Sequence, residues 1–292
     1  MPVLKKQLSN FIGQNSNPNQ VPVSVKLIKL TMNILDKIIE HKWTEIADRK
    51  ATISVEDLRK SPLYSRPTLS FKKYLSNPAL SGVIAEHKRQ SPSKGIINAN
   101  VDLKQVVTGY QAAGASACSV LTDTKFFGGT TEDLLQARAL IQIPILRKDF
   151  MVDEYQIEEA RAMGADVILL ISACLTPQRI KELSEYAHKL DLEVLLEVHN
   201  AEELEGNLID TVDVIGVNNR NLKTFDVSIQ TSIDVAKHIP ERYIKVSESG
   251  IDDPKTIIEL KKHGYTGFLI GESFMKTNDP GAALKKLVAD SK

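Results

Sequence analysis

From residue 82 onward, short apolar runs alternate with amphipathic stretches of helical period. The apolar runs are four to six residues long and end at polar or glycine positions, as strands do. They predict eight strands at 82–86, 117–121, 144–148, 166–171, 193–197, 213–218, 243–247 and 267–270. The segments between them carry helical patterns, for example 153–163, 177–190 and 253–263, and Gly114, Gly164 and Gly264 stand where helix C-caps belong. Strands joined by helix-length connections pair in parallel. Eight such units predict an α/β protein, a (β/α)8 TIM barrel with an N-terminal helical extension, as a single domain over 32–292 that includes helices at 32–80. The rival, an open doubly wound sheet, finds no support, because no G-x-G-x-x-G follows the first strand and no P-loop motif occurs. Upstream, Ile34, Leu35, Ile38, Ile39 and Trp43 recur at helical spacing. Ser54 is a candidate N-cap for a helix near 54–59, and 71–75 forms a further turn whose Lys72 and Lys73 read as a solvated face. The polar, turn-rich stretch 14–20 lacks the composition of a packed core, so 1–31 is expected to be a flexible extension, although 21–30 is apolar enough to pack.

Polar residues gather where these strands end, the face on which barrels of this class carry their chemistry. Glu86 and Lys88 end the first strand, Lys148 the third, Glu197 the fifth and Asn218 the sixth, with Arg220 just beyond; Glu248 follows the seventh. Alternation puts Glu86 and Lys88 on one face with His87 opposite, and Leu146 on the face of Lys148. Each charge alone could be a rim ion pair, but several at one face point to a site. Asn200, with Glu203 three residues later, caps the next helix and leaves Glu197 free. Ser249-Gly250 and Gly271-Glu272-Ser273 follow the last two strands, where small residues let backbone N–H groups approach a phosphate. Phe126-Phe127-Gly128-Gly129-Thr130 is either a lid over a substrate ring or a loop packed on the rim, with neither favoured.

Composition narrows the function without naming it. Lys+Arg and Asp+Glu are both 37, which gives no basic excess for nucleic acid. No apolar run is long enough to span a membrane, and no h-region follows the first lysines, so no membrane, no signal peptide and a reducing cytoplasm are expected. Cys118 and Cys174 lie in apolar runs and read as two buried free thiols. The six histidines show no ligand spacing, so no metal is expected. A monomer or weak oligomer is assumed.

The motifs at the strand ends resemble the indole-3-glycerol-phosphate synthase family. They are Ala85-Glu86-His87-Lys88-Arg89-Gln90-Ser91-Pro92-Ser93-Lys94-Gly95, Leu146-Arg147-Lys148-Asp149-Phe150, Leu196-Glu197-Val198-His199, Asn218-Asn219-Arg220-Asn221-Leu222, Ser247-Glu248-Ser249-Gly250-Ile251 and Ile270-Gly271-Glu272-Ser273-Phe274-Met275. The resemblance runs from about Met32 to the end. It implies a carboxy-lyase of tryptophan biosynthesis that closes the ring of 1-(2-carboxyphenylamino)-1-deoxyribulose 5-phosphate, a small phosphorylated aromatic-amine sugar, without a cofactor. It further implies Lys148 as general acid, with Glu197 and Glu86 completing proton transfer. Lys88 would contact substrate anions, Ser91, Asn218 and Arg220 would position the substrate, and Glu248 would support. Ser249, Gly250, Gly271 and Ser273 would form the phosphate cradle. Lys148 is expected to donate near neutral pH because neighbouring cations lower its proton affinity. His87 stands where the family is commonly apolar, and Glu272 beside the phosphate is expected to point its side chain outward. The alternatives are another phosphosugar isomerase or epimerase barrel, which lacks the Glu86/Lys88/Ser91 cluster with Lys148, and a catalytically silent binding barrel.

Overall fold

The computed structural model describes residues 33–98, 101–222 and 224–291. The flexible extension expected over 1–31 lies outside the described residues. Among those described, eight parallel strands close into a barrel: β1 (Val83–His87), β2 (Ala117–Leu121), β3 (Ile145–Lys148), β4 (Val167–Ile171), β5 (Glu193–Val198), β6 (Val214–Asn218), β7 (Ile244–Glu248) and β8 (Tyr265–Ile270). Each pairs with its neighbours in sequence, and β8 closes on β1 through Ala85↔Ile270. The expected bounds hold to within a residue or two. The shift matters at β7, where Glu248 is the last strand residue, register-paired with Asn218, rather than a residue beyond the end.

The period of two sorts the strand residues into two cores. Ile84, Ala117, Leu146, Val167, Leu169, Leu195, Val214 and Val246 fill the barrel interior. Val83, Ala85, Cys118, Val120, Ile145, Ile168, Leu170, Val194, Leu196 and Val217 face the helices that return each strand to the next. Interior parity then carries Ile84 to Glu86, Leu146 to Lys148, Leu195 to Glu197 and Val246 to Glu248, so the inward stacks of these four alternate strands end on charged groups at the mouth.

The N-terminal segment wraps the barrel from mouth to floor. Helix α1 (Ile34–Thr52) starts with a capping box between Asn33 and Asp36, and α2 (Val55–Leu58) is capped by Ser54 as its hydroxyl predicts. Arg59 and Tyr64 then reach Glu158 on the outer helix Glu154–Ala162. Helix α3 (Phe71–Leu75) turns under the barrel, and Phe71 and Leu75 plug the interior core from below. Lys72 is not merely solvated: its Nζ donates to Asp213 Oδ1 at 2.7 Å. The apolar stripe of α1 also differs from expectation. Ile38, Lys42 and Ile46 are the buried positions, whereas Trp43 is 46% exposed. A lysine can replace an apolar residue on that stripe because the barrel supplies carboxylates opposite it. Cys118 is buried as expected, but Cys174 is only partly so.

The floor is held by Asp166, which is fully buried. Its Oδ1 accepts from Leu69 N at 2.8 Å and from Arg66 Nη2, and its Oδ2 accepts from Ile145 N at 2.9 Å and Arg138 Nη1 at 3.0 Å. Removing one member of such a group strands the rest without partners. Asp166→Ala should therefore cost about 3–5 kcal/mol and lower the melting temperature by roughly 10 °C. A calorimetric scan that finds the variant within a degree or two of wild type would contradict this account of the floor.

Candidate active site

The mouth opens into a cavity of about 520 Å³. At its base Glu86, Lys148, Glu197 and Glu248 converge from four strands, with Lys88 just past the first. Lys148 Nζ donates to Glu197 Oε2 at 3.1 Å and to Glu248 Oε2 at 3.2 Å. Lys88 Nζ donates to Glu86 Oε1 at 2.5 Å, and Ser119 Oγ donates to Glu86 Oε2 at 3.4 Å. Asn218 Nδ2 donates to Glu197 Oε1 at 3.1 Å, while its Oδ1 accepts from Arg220 N at 3.0 Å. Glu86, Glu197 and Glu248 are all buried. Gly216 makes room for one of them, since a Cβ there would overlap Glu248 Oε1.

The charges divide unevenly. Burial alone would strip Lys148 of its proton, but Glu248, Glu197 and Glu86 outweigh burial and hold its proton affinity above that of an ordinary lysine. The expectation of a lowered proton affinity is thus overturned, because carboxylates rather than cations surround Nζ. Burial opposes ionisation of Glu197 and Glu86 as well. Lys148, His199 and Asn218 nonetheless keep Glu197 well below the glutamate range, and Lys88 and Lys148 keep Glu86 below it. Glu248 differs. Burial pushes it up to about 7, Lys148 opposing and the Glu197 and Glu86 charges reinforcing the rise. Its Oε1 has no hydrogen-bond partner among the described residues. Lys88 also stands beside Glu86 and His199 beside Glu197, whereas Lys148 alone opposes the rise of Glu248, and this carboxyl keeps its proton.

The predicted phosphate loops line the same cavity. Ser249 and Gly250 adopt positive φ of 69° and 72°. A serine rarely takes that conformation, and it is held here by Asn219, whose Nδ2 donates to Ser249 O and Ser247 Oγ at 3.0 Å each. In the loop after the neighbouring strand β8, Ser273 Oγ is buried without a partner among the described residues. An unpaired buried hydroxyl facing a cavity is what an anion site offers. Gly271 lies so close to Glu86 that a Cβ would come 2.7 Å from Oε1, so a side chain there would displace Glu86 before it met an anion. Glu272 does not point away as expected. Its carboxylate lines the wall 2.6 Å from Lys276 Nζ and 3.6 Å from Arg220 Nη2, because those cations surround it. Ser91 lies on the wall with its Oγ 3.4 Å from Ser93 Oγ.

The structure brings all twelve expected site residues to this cavity. His87, by contrast, faces the helix layer, where burial and Arg89 push its imidazole down to about 4. The cavity also has an apolar wall that the strand pattern did not mark: Ile34, Leu35 and Ile38 of α1, with Phe127, Phe150 and Leu222. Phe127 sits on the short helix Thr124–Phe127, so the aromatic loop contributes to the cavity itself. His199 was missed too. Its Nε2 lies 3.3 Å from Glu197 Oε1 and its Nδ1 3.1 Å from Glu203 Oε2. Burial lowers its affinity for a proton, but the two carboxylates raise it to about 10. Its place two residues after Glu197, on the same strand face, was the available signal. Among the described residues no cluster of His, Cys, Asp and Glu is arranged to hold a metal ion, and no helix is long and apolar enough to cross a membrane.

Comparison with known proteins agrees with this geometry. The family model described as indole-3-glycerol phosphate synthase matches residues 35–287. The indole-3-glycerol phosphate synthase of Bacteroides thetaiotaomicron is 47% identical over 256 residues, covering 88% of this chain and 98% of the relative. That of Polynucleobacter asymbioticus is 43% identical over 265 residues, covering 88% and 99%. A solved structure described as native KDPGal superimposes with a TM-score of 0.52 at 13% identity, covering 74% of this chain and 93% of that one. A mandelate oxidase bound to benzoyl-formic acid gives a TM-score of 0.54, also at 13% identity, covering 72% and 70%; both share the fold alone.

The electrostatics of Glu248 have a measurable sign. Its folded value of about 7 exceeds the ordinary 4.5, so the folded state binds that proton more tightly. Stability from this group is full below about 4.5 and falls as pH rises toward 7. Glu248→Gln removes the loss, so its stability relative to wild type should rise between pH 5 and pH 8, by at most about 3 kcal/mol. Denaturant titrations at the two pH values would show it; a stability relative to wild type that stays constant or falls between pH 5 and pH 8 would rule out a protonated Glu248.

Proposed function

Because the chain belongs to the indole-3-glycerol phosphate synthase family, we propose that this mouth closes the indole ring of 1-(2-carboxyphenylamino)-1-deoxyribulose 5-phosphate. Membership makes the chain a carboxy-lyase of tryptophan biosynthesis that acts on a phosphorylated substrate. The finer assignment is that the products are indole-3-glycerol phosphate, carbon dioxide and water, that residues 32–292 work as one catalytic unit in the cytoplasm, and that neither a metal nor another cofactor takes part. The single observation that carries the mechanism is the Lys148 ammonium held between Glu197 and Glu248 at the base of a cavity with one apolar wall and one anion-seeking wall.

The substrate fits that division. Its phosphate rests on the backbone of Ser249-Gly250 and Gly271, with Ser273 Oγ donating. Its aryl ring rests on Ile34, Leu35, Ile38 and Phe127, and Ser91, Lys88 and Arg220 meet its polar and anionic edges. Remote phosphate binding then helps hold the reacting carbons together. The ring carbon that bears the carboxylate attacks the ribulose carbonyl, a carbon–carbon bond forms, and Lys148 gives its proton to the carbonyl oxygen. A lysine whose proton is tightly held is a weak acid toward water. Toward a developing alkoxide at this buried base it is a strong electrostatic partner, and the transfer follows the growing negative charge. Carbon dioxide then leaves and restores the aromatic electrons. The new hydroxyl departs as water: Glu197 and Glu86, ionised in the free enzyme, take up the proton that the forming double bond loses and pass it to the leaving oxygen. Asn218 fixes the Glu197 carboxylate, and Glu248 accepts the hydrogen bond that aims Lys148.

Two variants test this reading with a synthetic substrate and indole fluorescence. Lys148→Met should slow ring closure by about 10²–10⁴-fold while inorganic phosphate binds as to wild type by calorimetry. Turnover near the wild-type rate would remove Lys148 from the acid role. Ser273→Ala should weaken phosphate binding by roughly tenfold; unchanged affinity would place the cradle elsewhere. Wild-type protein that makes no indole product would overturn the reading as a whole.

A further inference from the structure

One fully buried charge takes no part in the ring-closing scheme. Lys42 of α1 is 0% exposed and does not line the cavity. Its Nζ lies 2.8 Å from Glu45 Oε2, 3.0 Å from Asp123 Oδ2 and 2.9 Å from Asp149 Oδ1. The last two belong to separate parts of the mouth. Asp123 follows β2, and its Oδ1 accepts from Phe126 N at 2.8 Å and Phe127 N at 3.2 Å, which caps the turn that carries Phe127 into the cavity. Asp149 directly follows Lys148, and its Oδ2 accepts from Thr122 Oγ1 at 2.6 Å and sits 3.3 Å from Arg147 Nη2. Helix α1 itself presents Ile34, Leu35 and Ile38 to the cavity. One ammonium thus joins the helix over the mouth, the aromatic turn and the backbone beside Lys148.

Stability alone does not call for a buried ion group at this position: Ile38 and Ile46 fill the same stripe one turn to either side, and apolar residues in place of Lys42, Asp123 and Asp149 together would commonly serve as well or better. Burial pulls the Lys42 proton affinity down, but Asp149 and Asp123 outweigh it, so the side chain stays an ammonium. What the charge supplies beyond packing is direction, since it fixes carboxylates from two strand ends about one point. Misplacing a reacting group by an ångström can cost about 10²-fold in rate.

We propose that Lys42 is a positioning residue for ring closure, which holds α1 and Phe127 over the aryl end of the substrate and sets the backbone from which Lys148 reaches the carbonyl. The inference rests on the ring-closing reading with Lys148 as acid. It concerns only the Lys148 side of the mouth and leaves the cradle of Ser249, Gly250, Gly271 and Ser273 untouched.

The test compares Lys42→Met, Lys42→Arg and wild type by kcat and KM for ring closure and by calorimetric affinity for inorganic phosphate. Lys42→Met should lose at least tenfold in kcat, with a smaller rise in KM and phosphate affinity within about twofold of wild type. Lys42→Arg keeps the charge and should recover part of the lost kcat. If Lys42→Met does not fold, Asp149→Asn takes its place: it weakens the tie beside Lys148 and should show the same split. A folded Lys42→Met, or Asp149→Asn in its stead, with wild-type kcat would overturn the proposal while leaving the ring-closing reading intact. So would parallel losses of turnover and phosphate binding, which mark a merely structural role. A wild-type enzyme without turnover would instead remove the reading on which the proposal rests.

Discussion

The Lys148 ammonium lies 3.1 Å from Glu197 and 3.2 Å from Glu248, inside a barrel whose interior is otherwise apolar. Each of these groups would be costly to bury alone. Together they are tolerated because the barrel register delivers them to one level, with Asn218 and His199 completing the hydrogen bonds and charge around Glu197. Burial, reinforced by the charges of Glu197 and Glu86 and only partly opposed by Lys148, lets Glu248 hold its proton to about pH 7. The arrangement stores both a tightly held cation and a carboxyl group able to exchange a proton near neutrality.

Such a mouth is a burden on folding, and the rest of the molecule is built around bearing it. The floor is a separate set of carboxylates in which Asp166, Glu193 and Asp213 receive the N-terminal segment through hydrogen bonds from Leu69, Ser70 and Lys72. These groups lie at the opposite strand ends from Glu86, Lys148 and Glu197, so stability and chemistry occupy opposite ends of the barrel. Between them the chain ahead of β1 runs down the outside, with its first helix over the mouth and Phe71 under the floor. At the working end Ser249 takes a positive φ held by Asn219.

Much of this was legible along the chain because the determining patterns are local. Alternation alone set Glu86 and Lys88 apart from His87 and put Lys148 on the face of Leu146, and short loops with Gly250 and Gly271 marked the anion side before any three-dimensional information. What escaped the sequence depends on partners distant in sequence. Lys42 looks like any helix-surface lysine until Asp123 and Asp149 are seen opposite it, and Trp43 occupies the apolar stripe on paper but faces solvent. The same limit explains the reversed expectation for Lys148. Its proton affinity is set by Glu248, Glu197 and Glu86, which come from other strands, whereas the adjacent cation Arg147 points outward to Glu159. Glu272 was likewise judged by its own position, while Arg220 and Lys276 decide where it lies.

The central claim is that Lys148 is kept charged by the carboxylates around it rather than made acidic by cations. Selective ¹⁵N labelling of lysine, with the Nζ resonance of Lys148 assigned by its loss in Lys148→Met, measures this directly in the free enzyme. The account predicts that Nζ stays protonated past the ordinary lysine value of 10.5 and that a Glu197→Gln background brings the transition down. A Lys148 that titrates below 10.5, and does not respond to removal of that carboxylate, would contradict it.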